Sequence, residues 1–156
     1  MTGTDADPRE IAKKGLQLSG MDYIQAIFAE ELPPPPIAVL MGFRGVLAEP
    51  GRAVFEMEPG PQHYNPIGSV HGGIALTLLD SAMGCAVHTL LEAGVGYTTL
   101  EVKTNFVRPI TADVGVIRCE GIVIHSGSRV ATAEGKVTDP AGKLLAHGTT
   151  TCLIFR

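Results

Sequence analysis

The stretch HYNPIGSVHGGIALTLLDSAMGCAVH, residues 63–88, decides how this chain is read. Its first third is turn chemistry, with Asn65-Pro66 and Gly68-Ser69 in close succession. From Ile74 onward it is apolar for almost its whole length, and Ala93-Gly94 supplies a stop, which predicts a helix over residues 73–91. A helix apolar on nearly every side needs cover on nearly every side. The run approaches membrane-spanning length, yet Asp80, Ser81 and His88 interrupt it, so it reads as the buried helix of a soluble domain.

The flanks supply the cover. Two strands are expected at 42–49 and 52–58, joined by the turn formers Pro50-Gly51. Four more are expected at 97–107, 114–125, 129–138 and 143–155, parted by Arg108-Pro109, Ser126-Gly127 and the run from Asp139 to Gly142. A ten-residue strand reaches about 33 Å and a 20-residue helix about 30 Å, so one sheet can wrap one helix. Ahead of the strands, residues 9–31 carry apolar side chains at helical spacing, with Ile24, Ile27 and Phe28 on one face, which predicts one or two amphipathic helices. The four prolines 33–36 forbid helix and form a stiff spacer, either a plain connector or a cover for a pocket. The chain therefore divides into an N-terminal helical segment with its proline-rich spacer, 1–36, and a main domain, 37–156.

Composition narrows the function. A chain of 156 residues with 45% hydrophobic and 18% charged residues fits one ordered domain. The net charge is -4 and the Lys and Arg residues are scattered singly, which argues against nucleic acid as a partner. Cys85, Cys119 and Cys152 are odd in number and lack C-x-x-C spacing, so neither a disulfide framework nor a metal site is expected, and no cofactor is required. Reduced thiols and an acidic start without a signal-peptide pattern point to the cytoplasm, with no membrane partner.

Chemistry concentrates in the opening stretch. Asp80 lies within IALTLLDSAMG, where an ionised carboxylate costs several kcal/mol unless compensated, so it either anchors a loop or acts as nucleophile or general base. Its helical neighbours Leu76, Thr77 and Gly84 leave that face open to a ligand, although Gly84 also suits close packing on a sheet. Gly72 and Gly73 start the helix, where free amides and the dipole favour an oxyanion; one such donor is worth about 3 kcal/mol in a transition state. The same pair could serve the turn alone. Asn65 could hold water or a carbonyl, or merely form the turn before Pro66. His71 reads as a polar residue that bonds loop backbone and orients the glycines. His63, His88, His125 and His147 lack metal-ligand spacing.

This stretch, with TTLEVKTNFVRPI after it, ELPPPPIAVLMGF before it and RVATAEGKVTDPAGKLLAHGTTTCLIF at the end, resembles the hotdog-fold thioesterases of the phenylacetate-pathway (PaaI) type, related to 4-hydroxybenzoyl-CoA thioesterases. The spacing Asn-x5-His-Gly-Gly-x6-Asp is the specific part of the match. The resemblance implies an α+β hotdog fold, a curved antiparallel sheet wrapped around a long central helix. It implies acyl-CoA substrates of aryl or phenylacetyl type, and a dimer that pairs further into a tetramer. It places an oxyanion-binding amide on Gly72, the catalytic acid residue on Asp80, and supporting roles on Asn65, His71 and Thr99, with Thr98 the alternative across a one-residue gap. By alternation alone Thr99 is an ordinary strand residue sharing a face with Glu101 and Lys103.

Asp80 lies eight residues past Gly72, about 12 Å along a helix, too far for both to act on one carbonyl. If they share a substrate, Asp80 must come from a second subunit, which predicts a two-fold dimer with two shared sites. Coenzyme A carries phosphates, so Arg108, Ser128 and Arg129, in loops beside the strands, are expected at its rim together with Gly73. Two rivals remain at this point: a hydratase or dehydratase of acyl thioesters, for which only His71 could serve as the histidine, and a non-catalytic acyl-CoA binder.

Overall fold

The computed structural model describes residues 7–156. Three short helices lead in: α1 (Pro8–Gly15), α2 (Gly20–Phe28) and α3 (Pro36–Met41). Asp7 and Ser19 cap the first two, their side chains accepting the Arg9 and Asp22 amides at 2.9 and 3.1 Å. The proline run does not exclude helix throughout. Pro36 opens α3 as its first residue, where a missing N–H costs nothing, and Gly42 at φ 74° closes it.

Six strands follow: β1 (Phe43–Glu49), β2 (Arg52–Met57), β3 (Gly96–Phe106), β4 (Ile117–Ser126), β5 (Val130–Thr138) and β6 (Leu144–Phe155). They form one antiparallel sheet in the order β1-β2-β4-β5-β6-β3, with β1 and β3 as edges. The helix α4 (Gly72–His88) crosses its inner face. It starts one residue earlier and ends three residues earlier than the sequence suggests, because Thr89 caps it and its hydroxyl donates to the Ala86 carbonyl at 2.6 Å. The same hydroxyl accepts the Gly51 amide at 2.8 Å, tying the β1–β2 turn to the end of α4. β4 begins at Ile117 rather than 114, since Ala112–Val114 form a 3-10 turn.

Helix and sheet meet closely where side chains are smallest. A Cβ on Gly121 of β4 would stand 2.4 Å from the Ala82 carbonyl, so glycine there lets the backbones touch. Leu78, Leu79, Met83 and Val87 of α4 are fully buried against Ile117, Cys119 and Val137. Each such side chain contributes about 1.5–3 kcal/mol by leaving water. α2 completes the core from the N-terminal side, with Phe28 edge-on to Phe55 at 5.1 Å and Phe55 edge-on to Phe43 at 5.7 Å.

One irregularity in β3 positions the site. Thr99 pairs with Cys152 and Glu101 with Thr151, so Leu100 is an extra residue, a β-bulge. Tyr97 and Thr99 face inward before it; Val102, Thr104 and Phe106 occupy the same face after it, opposite the inward Thr150, Gly148 and Ala146. Thr99 therefore does not share a face with Glu101 and Lys103, as strict alternation implies. Among the described residues no helix is long and apolar enough to cross a membrane.

Candidate active site

The loop before α4 folds around Asn65. Its Oδ1 accepts the amides of Ile67 at 3.0 Å and Ser69 at 3.2 Å, and its Nδ2 donates to Ser69 Oγ at 3.1 Å. The carboxamide oxygen is thus committed to the turn, and one Nδ2 hydrogen is left over. The loop delivers the chain to His71, whose backbone amide bonds the His63 carbonyl at 2.8 Å.

His71 is the N-cap of α4. Its Nδ1 accepts the Gly73 amide at 2.8 Å. Gly73 is therefore engaged in the cap, and Gly72 has the amide at the helix start without a backbone acceptor among the described residues. The Phe106 ring stands over Gly72, since a Cβ there would lie 3.0 Å from two of its carbons. Gly72, Asn65, Phe106, Arg108 and the apolar Val70, Ile110 and Leu145 line a cleft of about 430 Å³. Arg108 Nη1 donates to the Leu144 carbonyl at 2.6 Å, which fixes its guanidinium at this rim.

Asp80 opens on a second cleft, of about 380 Å³, shared with Leu76, Thr77, Thr99 and Val102. Thr99 Oγ1 donates to Asp80 Oδ1 at 2.9 Å. This pairing is made by Thr99 and not by Thr98, because the bulge falls after Thr99 and leaves it facing α4. Thr77 turns its hydroxyl back to the Gly73 carbonyl at 2.8 Å. Asp80 is exposed rather than enclosed by apolar groups, contrary to the expectation from its sequence neighbours. Those neighbours are consecutive in sequence but point around the helix, and Leu76, Thr77 and Asp80 form the one stripe of α4 the sheet leaves uncovered. Nearby, burial and then the Asp80 charge push the Cys85 thiol up to about 12, so it stays protonated at neutral pH.

Gly72 and Asp80 thus belong to different clefts, about 12 Å apart along the axis. Arg129 and Ser128 do not join Arg108. Phe106 pairs with Ala146 of β6, whereas Leu153 of β6 pairs with Val130, beside Arg129. Seven residues of strand separate the two places, about 23 Å, and put Arg129 towards the Asp80 end. No group of three or more His, Cys, Asp or Glu side chains poised for a metal occurs among the described residues. Phe106 and Tyr97, both facing α4, are site neighbours that sequence reading passes over, because an aromatic on a strand reads as core.

A family profile described as Thioesterase superfamily matches residues 67–146. A protein of Saccharolobus solfataricus, provisionally named an esterase, is 34% identical over 108 residues, 69% of this chain and 75% of that protein. Acyl-coenzyme A thioesterase 13 of Homo sapiens is 29% identical over 104 residues, 66% of this chain and 73% of its own. Among solved structures, a mutant of the phenylacetic acid degradation protein PaaI from Thermus thermophilus matches with a TM-score of 0.69 at 28% identity, covering 76% of this chain and 98% of that one.

Proposed function

This chain belongs to the thioesterase superfamily and is a thioester hydrolase, and from that premise we propose that it cleaves acyl-CoA esters with a compact aryl or phenylacetyl-type acyl group, at sites built by two copies together. The observation that carries the shared site is the division of the candidate groups between two clefts at different turns of α4. The edge strand β3 offers the means of joining them. Antiparallel pairing of β3 with its copy would bring the Asp80 end of one α4 towards the Gly72 end of the other. Two such dimers could then pair through another face. The acyl preference rests on the likeness to PaaI and on the modest size of the clefts.

In the proposed mechanism the Gly72 amide donates to the thioester carbonyl oxygen, and His71 supports it by holding the next amide. Asp80, oriented by Thr99, takes a proton from water as the water oxygen attacks the carbonyl carbon. The C–S bond then breaks, the thiolate takes up that proton, and free acid and coenzyme A leave. Asn65 shapes the loop, with its spare Nδ2 hydrogen directed to substrate or water. Arg108 meets a coenzyme A phosphate at the rim, and Ser128 and Arg129 serve the site to which their own Asp80 belongs. No cofactor takes part in this scheme.

Thiol release, followed with a disulfide reagent across a panel of CoA esters, tests the function. Asp80→Asn should lower kcat at least about 100-fold, in line with loss of a general base. Turnover close to wild type in that variant would rule out the role. Hydrolysis in ¹⁸O-water should label the product acid and leave Asp80 unlabelled; label in Asp80 would instead mark direct attack by its carboxylate.

A further inference from the structure

The inward face of β3 and the open stripe of α4 run side by side, and their contacts can be followed one by one. Phe106 stands at Gly72, Val102 shares a cleft with Leu76 and Thr77, and Thr99 holds Asp80. The next inward residue of β3 is Tyr97, and the next position of the stripe, four residues beyond Asp80, is Gly84. The lining of the cleft ends at Asp80 and Thr99, one step short of this pair. A Cβ on Gly84 would lie 3.0 Å from the Tyr97 hydroxyl and 3.3 Å from its ring, so the phenol occupies the space a side chain at 84 would fill. Its ring packs on His88 at a centroid distance of 5.2 Å, and Tyr23 meets His88 edge-on at 5.7 Å.

We infer that Tyr97, seated over Gly84, is the end wall of the acyl groove and sets the length of acyl group the enzyme accepts. The inference rests on the thioesterase reading above and adds a specificity-determining pair to it. From Asp80 to Gly84 the helix rises about 6 Å, one turn, which gives an acyl group room for a single ring or a few methylenes beyond the reacting carbon before it meets the phenol. The wall is stiff, since the ring is held between the helix backbone and a cluster of tilted and edge-on aromatic rings. Burial holds the Tyr97 hydroxyl well above the ordinary phenol range, so the wall stays uncharged at any working pH.

The test compares the kcat/KM of hexanoyl-CoA with that of propionyl-CoA in dimeric wild-type enzyme and two variants that act in opposite directions. Tyr97→Leu shortens the wall, and since each additional buried methylene is worth about fourfold, the hexanoyl-to-propionyl ratio should rise about tenfold or more. Gly84→Ala adds a methyl in contact with the phenol, which cannot retreat into His88, so the groove narrows and the ratio should fall several-fold. If Tyr97→Leu fails to fold, Gly84→Ala decides alone. A folded variant whose ratio stays within about twofold of wild type overturns the end-wall assignment. Absence of thiol release from every ester by the wild-type enzyme would overturn the thioesterase reading instead.

Discussion

Replacing Gly72 by proline deletes the amide hydrogen assigned to the oxyanion with little cost to the fold. Gly72 is the first residue of α4, the position where proline fits a helix best. The preceding His71 already has φ -59° and ψ 133°, the extended conformation proline demands of its neighbour. The atoms nearest the Cβ position are carbons of the Phe106 ring, at 3.0 Å, and that side chain is 58% exposed and free to shift. Loss of one oxyanion donor should lower kcat about 10²–10³-fold with melting temperature nearly unchanged. The same variant tests whether the site is shared. Gly72→Pro and Asp80→Asn are each expected to be inactive alone. Mixed at equal amounts with free subunit exchange, half of the dimers are hybrids, and each hybrid holds one site with both groups intact. Thiol release should recover to about one quarter of wild type. Two outcomes would refute this picture: near-normal turnover by Gly72→Pro, or no recovery in a mixture that native mass spectrometry shows to contain hybrids.

Thr99→Val removes the hydroxyl that holds Asp80 Oδ1 at 2.9 Å, and kcat should fall about tenfold with KM little changed, the size of a lost hydrogen bond to a charged group; an unchanged kcat would remove Thr99 from the site. His71→Ala deletes the cap on the Gly73 amide and should cost about 1 kcal/mol, a drop of roughly 2–4 °C in Tm by calorimetry at this chain length. Burial holds the His88 imidazole below its ordinary value of 6.5, so the folded state favours the neutral ring. Its contribution is complete above about pH 6.5 and is lost as pH falls from there to the lowered folded-state pKa, because the unfolded chain takes up the proton first. Urea midpoints measured from pH 7.5 to 4.5 should fall less steeply for His88→Gln than for wild type; equal slopes would contradict this assignment.

The central helix and the order of elements around it are legible because apolarity from Ile74 to Leu91 and turn residues at Pro50-Gly51, Ser126-Gly127 and Gly142 are local signals. That His71 bonds backbone beside the glycines is legible for the same reason, since a polar residue one step before a helix start has amides to cap. Three features depend on geometry that the local sequence does not carry. The bulge at Leu100 lies in a run of good strand formers with no glycine or proline to mark it. The exposure of Asp80 depends on which helical stripe the sheet leaves bare, and neighbours along the chain do not report that. The separation of about 23 Å along β6 between the Arg108 and Arg129 ends follows from strand register across three strands, although both arginines sit in similar turn-like contexts in the sequence.

The extra residue at Leu100 has a consequence for how such a site can be altered. Side-chain direction in a strand repeats every two residues, so one insertion divides β3 into two reading frames. Tyr97 and Thr99 are read in the first, and Val102, Thr104 and Phe106 in the second. Ironing out the bulge with Leu100 kept in the ladder would turn the first pair outward while leaving the other three in place, silencing the acid end and the length stop together without disturbing the amide end, whereas deleting Leu100 would leave both sets facing inward. One strand thereby carries two rulers that can be recalibrated separately, and the hinge between them is a single leucine, 57% exposed, whose side chain itself can vary freely.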